Sequence, residues 1–66
     1  SLHVMELVHV FVLYVMLDGK KVSDDLFFWD IDRCIYFAQR AKQQSRRRIT
    51  SYCLPKRINR EGVEIY

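Results

Sequence analysis

The segment that most constrains the fold is the apolar run of residues 8–17, which is rich in β-branched and aromatic side chains. This composition is typical of a central β-strand. A strand with one solvated face alternates apolar and polar residues, whereas here the even positions from Val8 to Met16 and the odd positions from Phe11 to Leu17 are all apolar. Both faces are therefore predicted to be buried. One helix can cover only one of them, so we expect a second copy of the chain to cover the other.

Length and composition lead to the same expectation. The chain of 66 residues is half hydrophobic, and a domain of this size buries only roughly 60% of the surface that its unfolded chain exposes. We expect a single domain over residues 1–66. Met5 could be the natural start, with residues 1–4 vector-derived, and we expect residues 57–66 to form either a tail or an edge strand. The apolar excess again favours self-association.

A hairpin is predicted after the first strand. Asp18-Gly19 suits the positive φ angles of a tight primed turn. Residues 22–29 then form a second strand with a bulged start at residues 23–25, or else a helix capped by Ser23. Four consecutive bulky residues, 26–29, favour the strand.

A helix is predicted over residues 31–44, with Asp30 as its N-cap. Its apolar stripe repeats at helical spacing, and Phe37 widens one edge of it. The stripe comprises Ile31, Cys34, Ile35, Ala38 and Ala41. Residues 49–54 have the composition of a third strand, which Pro55 is expected to end.

The order of these segments defines the topology. A strand–helix–strand crossover places the third strand parallel to the second. Both can then be antiparallel to the first, with the all-apolar strand between them. We therefore predict an α+β fold, a small ββαβ domain with a three-stranded sheet of order 2-1-3 and one helix packed on one face.

Motifs for catalysis, cofactors or metals are not apparent. The two glycines, Gly19 and Gly62, do not form a phosphate-binding loop. The acids between Asp24 and Asp32 fit a strand start, an N-cap and a first helical turn, and they lack the pattern of a calcium loop. His9 could act as a base for Cys34, but nothing fixes their geometry. We expect no enzymatic activity, no cofactor and no bound metal.

The two cysteines, Cys34 and Cys53, are too few for a disulfide scaffold and have no C-x-x-C spacing. Buried thiols in a reducing compartment are the default expectation. Because Cys34 faces the sheet and Cys53 lies on the third strand, the two can approach each other. A packed thiol pair is favoured over a disulfide.

Positive charge is concentrated in the second half of the chain. Of the 11 Lys and Arg residues, all but Lys20 and Lys21 follow Asp32. Such a cluster is a solvated loop, a protein-docking surface or a phosphate-binding surface on which an aromatic ring stacks a base. The candidate partner-binding residues are Arg46, Arg47, Arg48, Tyr52, Lys56 and Arg57.

The aromatic residues outnumber what one helix–sheet interface of this size can enclose. Aromatic anchors next to arginines are typical of protein-binding hot spots. Some aromatic residues are therefore expected at an interface between chains. The candidate self-association residues are Val10, Val12, Leu13, Tyr14 and Phe28.

Two stretches carry a resemblance to a known group of proteins: Trp-Asp-Ile-Asp-Arg-Cys-Ile-Tyr-Phe-Ala at residues 29–38 and Tyr-Cys-Leu-Pro-Lys at residues 52–56. They resemble short uncharacterised proteins encoded by marine phages, especially those that infect cyanobacteria. The resemblance brings no catalytic residues. It implies expression inside a bacterial host and an accessory role.

These observations support two functional hypotheses. The first is a homo-oligomeric interaction module, a dimer or larger, that binds a host or phage protein in the cytoplasm. The second is an accessory protein that binds nucleic acid through Arg46 to Arg48. A membrane segment is not expected, because the uninterrupted apolar part of the first strand is far shorter than the roughly 20 residues of a spanning helix.

Overall fold

The computed structural model describes residues 6–45 and 48–66. It contains β1 (Leu7–Leu17), β2 (Lys20–Phe28), α1 (Ile31–Gln44) and β3 (Ile49–Asn59). The sheet has the order β2-β1-β3, and β1 is antiparallel to both neighbours. The helix packs on one face of this sheet. The predicted fold class and strand order are confirmed.

The β1–β2 hairpin turns where the sequence predicts. Asp18 and Gly19 both have positive φ, 52° and 81°, as a primed two-residue turn requires. Residues 20–28 form a strand, so the alternative of a helix capped by Ser23 is wrong. The register between β1 and β2 shifts on both sides of Val15, which places the predicted bulge opposite Tyr14 and a second irregularity near Val22.

The prediction that Pro55 ends the third strand is wrong, because β3 continues to Asn59. The reason is the direction in which the proline nitrogen points. The Arg60 N–H donates to the Glu6 carbonyl at 3.1 Å, and the Asp18 N–H donates to the Arg48 carbonyl at 3.2 Å. Bonded pairs alternate along an antiparallel ladder, so the even residues of β3 bond to β1 and the odd residues face outward. Pro55 therefore lacks only an outward N–H, which an edge strand tolerates.

The core lies between the helix and the odd-numbered face of β1. Leu13, Phe28 and Cys34 are fully buried. Phe37 stacks on Phe28 with ring centroids 5.2 Å apart. The residues that pack around this centre are Phe11, Val15, Leu26, Ala38 and Cys53.

Cys34 of the helix and Cys53 of β3 form a disulfide, with Cα atoms 6.1 Å apart. The prediction of a packed thiol pair is therefore wrong. The predicted helix stripe is also wrong at Ile31 and Ile35, which are 44% and 41% exposed. The helix is rotated so that Phe37 contacts the core ring of β2, and this rotation moves both isoleucines towards the β3 margin.

The C-terminal segment, residues 60–66, returns across the sheet from the end of β3 to the far edge of β2. There Ile65 bridges Phe27 in parallel, and Tyr66 makes two backbone hydrogen bonds of 2.9 Å with Phe27 and Trp29. Because the helix covers one face, we infer that this segment crosses the other, which we call the outer face. Val10 and Val12, on the outer face, are only 1% and 0% exposed. The chain itself covers part of the face for which we expected a second copy.

Candidate interaction surfaces

The predicted basic patch is only partly described. Arg46 and Arg47 lie outside the described residues, and Arg48 is exposed just before β3. Tyr52 and Lys56 point to the outer face, because they are even residues of β3, whereas Arg57 points to the helix side. The structure therefore brings Tyr52 and Lys56 together on one face and separates Arg57 from them.

Most of the predicted self-association residues are inside the chain. Leu13 and Phe28 form the helix–sheet core, and Val10 and Val12 are covered on the outer face. These four side chains offer almost no surface to a second chain. Tyr14 is half-buried on the outer face and is the one of the five that retains accessible area. Self-association stays a prediction, and other residues have to mediate it.

An apolar strip remains accessible on the outer face beyond the C-terminal segment. Tyr52 and Leu54 are 50% and 51% exposed on the outermost strand. Tyr14 pairs directly with Tyr52, and the half-buried Met16 extends the row. We call Tyr14, Met16, Tyr52 and Leu54 the outer strip. Aromatic and aliphatic side chains in a flat row are suited to packing against another apolar surface.

Charges of both signs flank the outer strip. The Lys21 ammonium donates a hydrogen bond to Asp24 at 2.8 Å. This hydrogen bond and the opposite charges lower the pKa of Asp24 and raise the pKa of Lys21. The positive charge of Lys56 also lowers the pKa of Asp24. The strip therefore has an acid–base pair on its β2 side and a lysine on its β3 side.

A groove runs between the helix and β3, and we call it the β3 groove. Its helical wall consists of Ile31, Ile35, Ala38, Gln39 and Lys42, and its other wall is residues 49–54 of β3. The groove is apolar along most of its length. Lys42 is its one charged lining residue among those the structure describes, and no carboxylate lines it there.

A second groove lies at the other flank of the helix and is lined mainly by aromatic rings. Trp29, Tyr36, Phe37 and Tyr66 contribute to it. A guanidinium lies over two of these rings. The Arg60 guanidinium is 5.8 Å from the Trp29 ring centroid, and the Arg40 guanidinium is 5.7 Å from the Tyr36 ring centroid. These rings are therefore already engaged with arginines of the same chain.

The described residues form neither a metal cluster nor the His9–Cys34 pair considered from the sequence. In residues 6–45 and 48–66, no group of three or more His, Cys, Asp or Glu side chains could hold a metal ion. Cys34 is joined to Cys53 and has no thiol to act with His9. Within the same ranges, no helix has the length and apolarity needed to cross a membrane.

The β3 groove is the surface that the sequence analysis did not anticipate. Ile31 and Ile35 were assigned to the core because their spacing matches a buried stripe. One available signal was the uncharged stretch of residues 49–54, which lies between Arg48 and Lys56. An edge strand with no charge and no proline remains able to pair with another strand.

Comparisons with protein-family models, with curated proteins and with solved structures found no match to this chain.

Proposed function

We propose that this chain is a small non-enzymatic interaction module that self-associates and also binds another protein. The observation that carries the proposal is the outer strip, where Tyr52 and Leu54 are half exposed side by side on a sheet face. Solvating such a row is unfavourable by roughly 25 cal/mol for each Å² of apolar area that a partner could cover. The occupant that we propose for the strip is a second copy of the chain.

Charge complementarity supports a second copy on the outer strip. One side of the strip carries Asp24, which already pairs with Lys21 of the same chain, and the other side carries Lys56. A twofold axis through the strip would bring Lys56 of each copy towards Asp24 of the other. A surface with both signs can satisfy itself in this way, as an isologous interface requires.

The test is the molar mass in solution, measured by light scattering after size exclusion at two salt concentrations. The unaltered chain should give a dimer, or a larger assembly, of its 8.0 kDa units at both salt concentrations, because the apolar strip contributes more than the screened charges. The variant with Tyr52→Glu and Leu54→Glu should be a folded monomer. Val22→Glu is the matched control, because Val22 is 58% exposed but lies outside the strip. A monomeric unaltered chain at high concentration would refute self-association.

Nucleic-acid binding is the second candidate, and one observation favours it. Tyr52 and Lys56 lie on the same face, so that a base could stack on the ring while the ammonium contacts a phosphate. Replacing Arg46, Arg47 and Arg48 with alanine should then abolish retention of single-stranded nucleic acid, with a steep loss of binding as salt rises. Replacing Lys20 and Lys21 is the matched control. Salt-independent or unchanged retention would eliminate this candidate.

An accessory role in a phage-infected bacterium remains our proposal for the biological setting. The proposed cytoplasmic localisation is harder to reconcile with the structure, because disulfides persist mainly in oxidising compartments. Alkylation of acid-quenched, denatured protein from its host, followed by mass spectrometry, would distinguish a disulfide from two thiols, because denaturation exposes the buried Cys34. Labelled Cys34 and Cys53 would support the reducing cytoplasm, and unlabelled cysteines would contradict it.

A further inference from the structure

The β3 edge differs along its length in how well it is protected against pairing. Pro55, Lys56 and Arg57 interrupt its second half with a missing donor and two charges. Residues 49–54 have neither charge nor proline. Among the described residues, no strand pairs with the outer side of β3. We call the outward backbone of residues 49–53 the open edge.

The direction of each backbone group on the open edge follows from the ladder. Even residues of β3 bond to β1, as the Arg60–Glu6 and Asp18–Arg48 bonds at its two ends show. The N–H and C=O groups of Ser51 and Cys53 therefore point outward. They provide regularly spaced donors and acceptors for one more strand.

The β3 groove lies directly beside the open edge. A strand that pairs with β3 would place every second side chain on the helix side, where Ile31, Ile35 and Ala38 line the groove. Backbone bonds supply affinity in this kind of recognition, and a flanking groove supplies selectivity for alternate side chains. The two features together form a complete site for an extended segment.

A polar group inside this site lacks a partner. The Ser51 Oγ is buried and makes no hydrogen bond to any described residue. Ser51 points to the helix side, and the residue directly opposite it on an added strand would lie about 4.5–5.5 Å away between Cβ atoms. A Ser or Thr at that position can satisfy the hydroxyl, which otherwise remains desolvated without compensation.

The charges around the site indicate which charge a partner segment should carry. Lys42 lines the groove, Arg57 lies on the same helix side beyond Pro55, and Arg48 precedes the open edge. No described acid lies among the groove residues. A second copy paired here would place its basic residues next to the same basic residues, and the like charges would repel. Acidic residues at the ends of an incoming strand would instead be attracted to these bases.

We propose that the open edge and the β3 groove bind an extended acidic segment of another protein by β-strand addition. The segment has alternating apolar or hydroxyl-bearing residues at its centre and carboxylates at its ends. This inference rests on the protein-binding part of the proposed function and specifies its partner. It does not use the outer strip, which faces the other side of the sheet.

The probe is a synthetic fluorescent peptide with alternating Val and Thr between Asp-Glu ends. Binding is measured by fluorescence anisotropy with the full chain, and ¹⁵N amide shifts locate the site. We expect the largest shifts at Ser51 and Cys53 and no binding of a peptide that is N-methylated on the bonded side. Lys42→Glu should weaken binding about tenfold or more, while Lys20→Glu, a matched lysine on the hairpin, should not.

A second variant tests the groove. Ile35→Ser should reduce affinity about tenfold, because it removes apolar contact from the groove wall. Tyr36→Ser, the neighbouring exposed position on the other flank, should leave affinity unchanged. Circular dichroism and the thermal midpoint confirm that both variants are folded.

Three results would overturn the inference. These are no binding of the acidic peptide, equal binding of a peptide with lysine ends, and concentration-dependent protection of the Ser51 and Cys53 amides in the protein alone, which would mean that a second copy occupies the edge. The light-scattering test of the outer strip is independent of these results. A dimer that binds no peptide would refute only the strand-addition site, and a monomer that binds the peptide would refute only self-association.

Discussion

The two margins of the sheet are built differently. At the β2 margin the register shifts twice, charged residues follow the hairpin, and Tyr66 closes the end of the strand with backbone bonds. At the β3 margin the register is continuous over eleven pairs, from Leu7 with Asn59 to Leu17 with Ile49. Protection is limited there to Pro55 and the two bases that follow it.

The two margins differ in how strongly they are protected against pairing with another strand. Bulges, charges and covering segments are the devices by which proteins prevent unwanted strand pairing. The chain applies all three at the β2 margin and leaves them out over residues 49–54. The unprotected stretch beside the apolar groove is therefore where we propose that a partner strand binds.

The largest expected effect separates the covered from the accessible part of the outer face. Val12 and Leu54 are directly paired neighbours, but Val12 is covered and Leu54 is half exposed. Val12→Glu would bury an unpaired charge and should cost at least about 3 kcal/mol, enough to unfold a marginal domain. Leu54→Glu, measured on protein dilute enough to be monomeric, should cost about 1 kcal/mol or less. Chemical denaturation of both variants checks this, and equal destabilisation would contradict the coverage by residues 60–66.

The disulfide connects the helix to the β3 margin, so its removal should loosen that margin first. Cys34 and Cys53 are 19 residues apart. Closing a loop of that length stabilises the fold by about 3 kcal/mol in the chain-entropy model. Replacing both cysteines with serine should lower the free energy of unfolding by that amount, as measured in urea. The unaltered protein with added reductant should show a similar loss, and no loss in either case would mean that the bond does not stabilise the fold.

The backbone hydrogen bonds that close the β2 margin can be removed by a short deletion. Deleting Ile65 and Tyr66 eliminates the two backbone bonds to Phe27 and Trp29. At about 1 kcal/mol for each bond, the deletion should cost about 2 kcal/mol. Tyr66→Leu, which keeps the backbone bonds and loses the ring contact with Phe28, should cost about 1 kcal/mol. A deletion no more harmful than Tyr66→Leu would show that the backbone bonds do not close this margin.

The smallest effect is expected from the ion pair beside the β2 bulge. Lys21 lowers the pKa of Asp24, so any stabilisation from Asp24 is present above its ordinary pKa of 3.8 and is lost as the pH falls through the lowered value. Both side chains are well exposed to solvent, and exposed pairs are strongly screened. Asp24→Asn should therefore leave the urea midpoint at neutral pH unchanged. A clear shift would mean that this pair holds the bulge in place.

The strand order and the helix could be predicted because they depend on local patterns: an apolar run, an Asp-Gly turn and helical spacing. The errors have a different origin. Whether Pro55 ends a strand depends on which side of the ladder its nitrogen faces, and only the register with β1 determines this. The rotation of the helix depends on Phe37 and Ile35 competing for the same core, which spacing alone does not resolve.

The candidate site was harder to predict than the fold. The burial of Val12 depends on packing between segments far apart in sequence, and the disulfide depends on the helix lying over β3. The uncharged stretch of residues 49–54 was visible in the sequence, but its meaning required the strand to be at an edge. The residues assigned to self-association were the most apolar ones, and the fold buries most of them.

The most direct test of an open β3 edge is amide hydrogen exchange, measured residue by residue by NMR on dilute protein. If the edge is open, exchange should be slow at Tyr52 and Leu54, whose N–H groups face β1, and fast at Ser51 and Cys53, whose N–H groups face outward. Equal protection at all four amides in dilute protein would mean that the β3 edge is already paired and therefore not open.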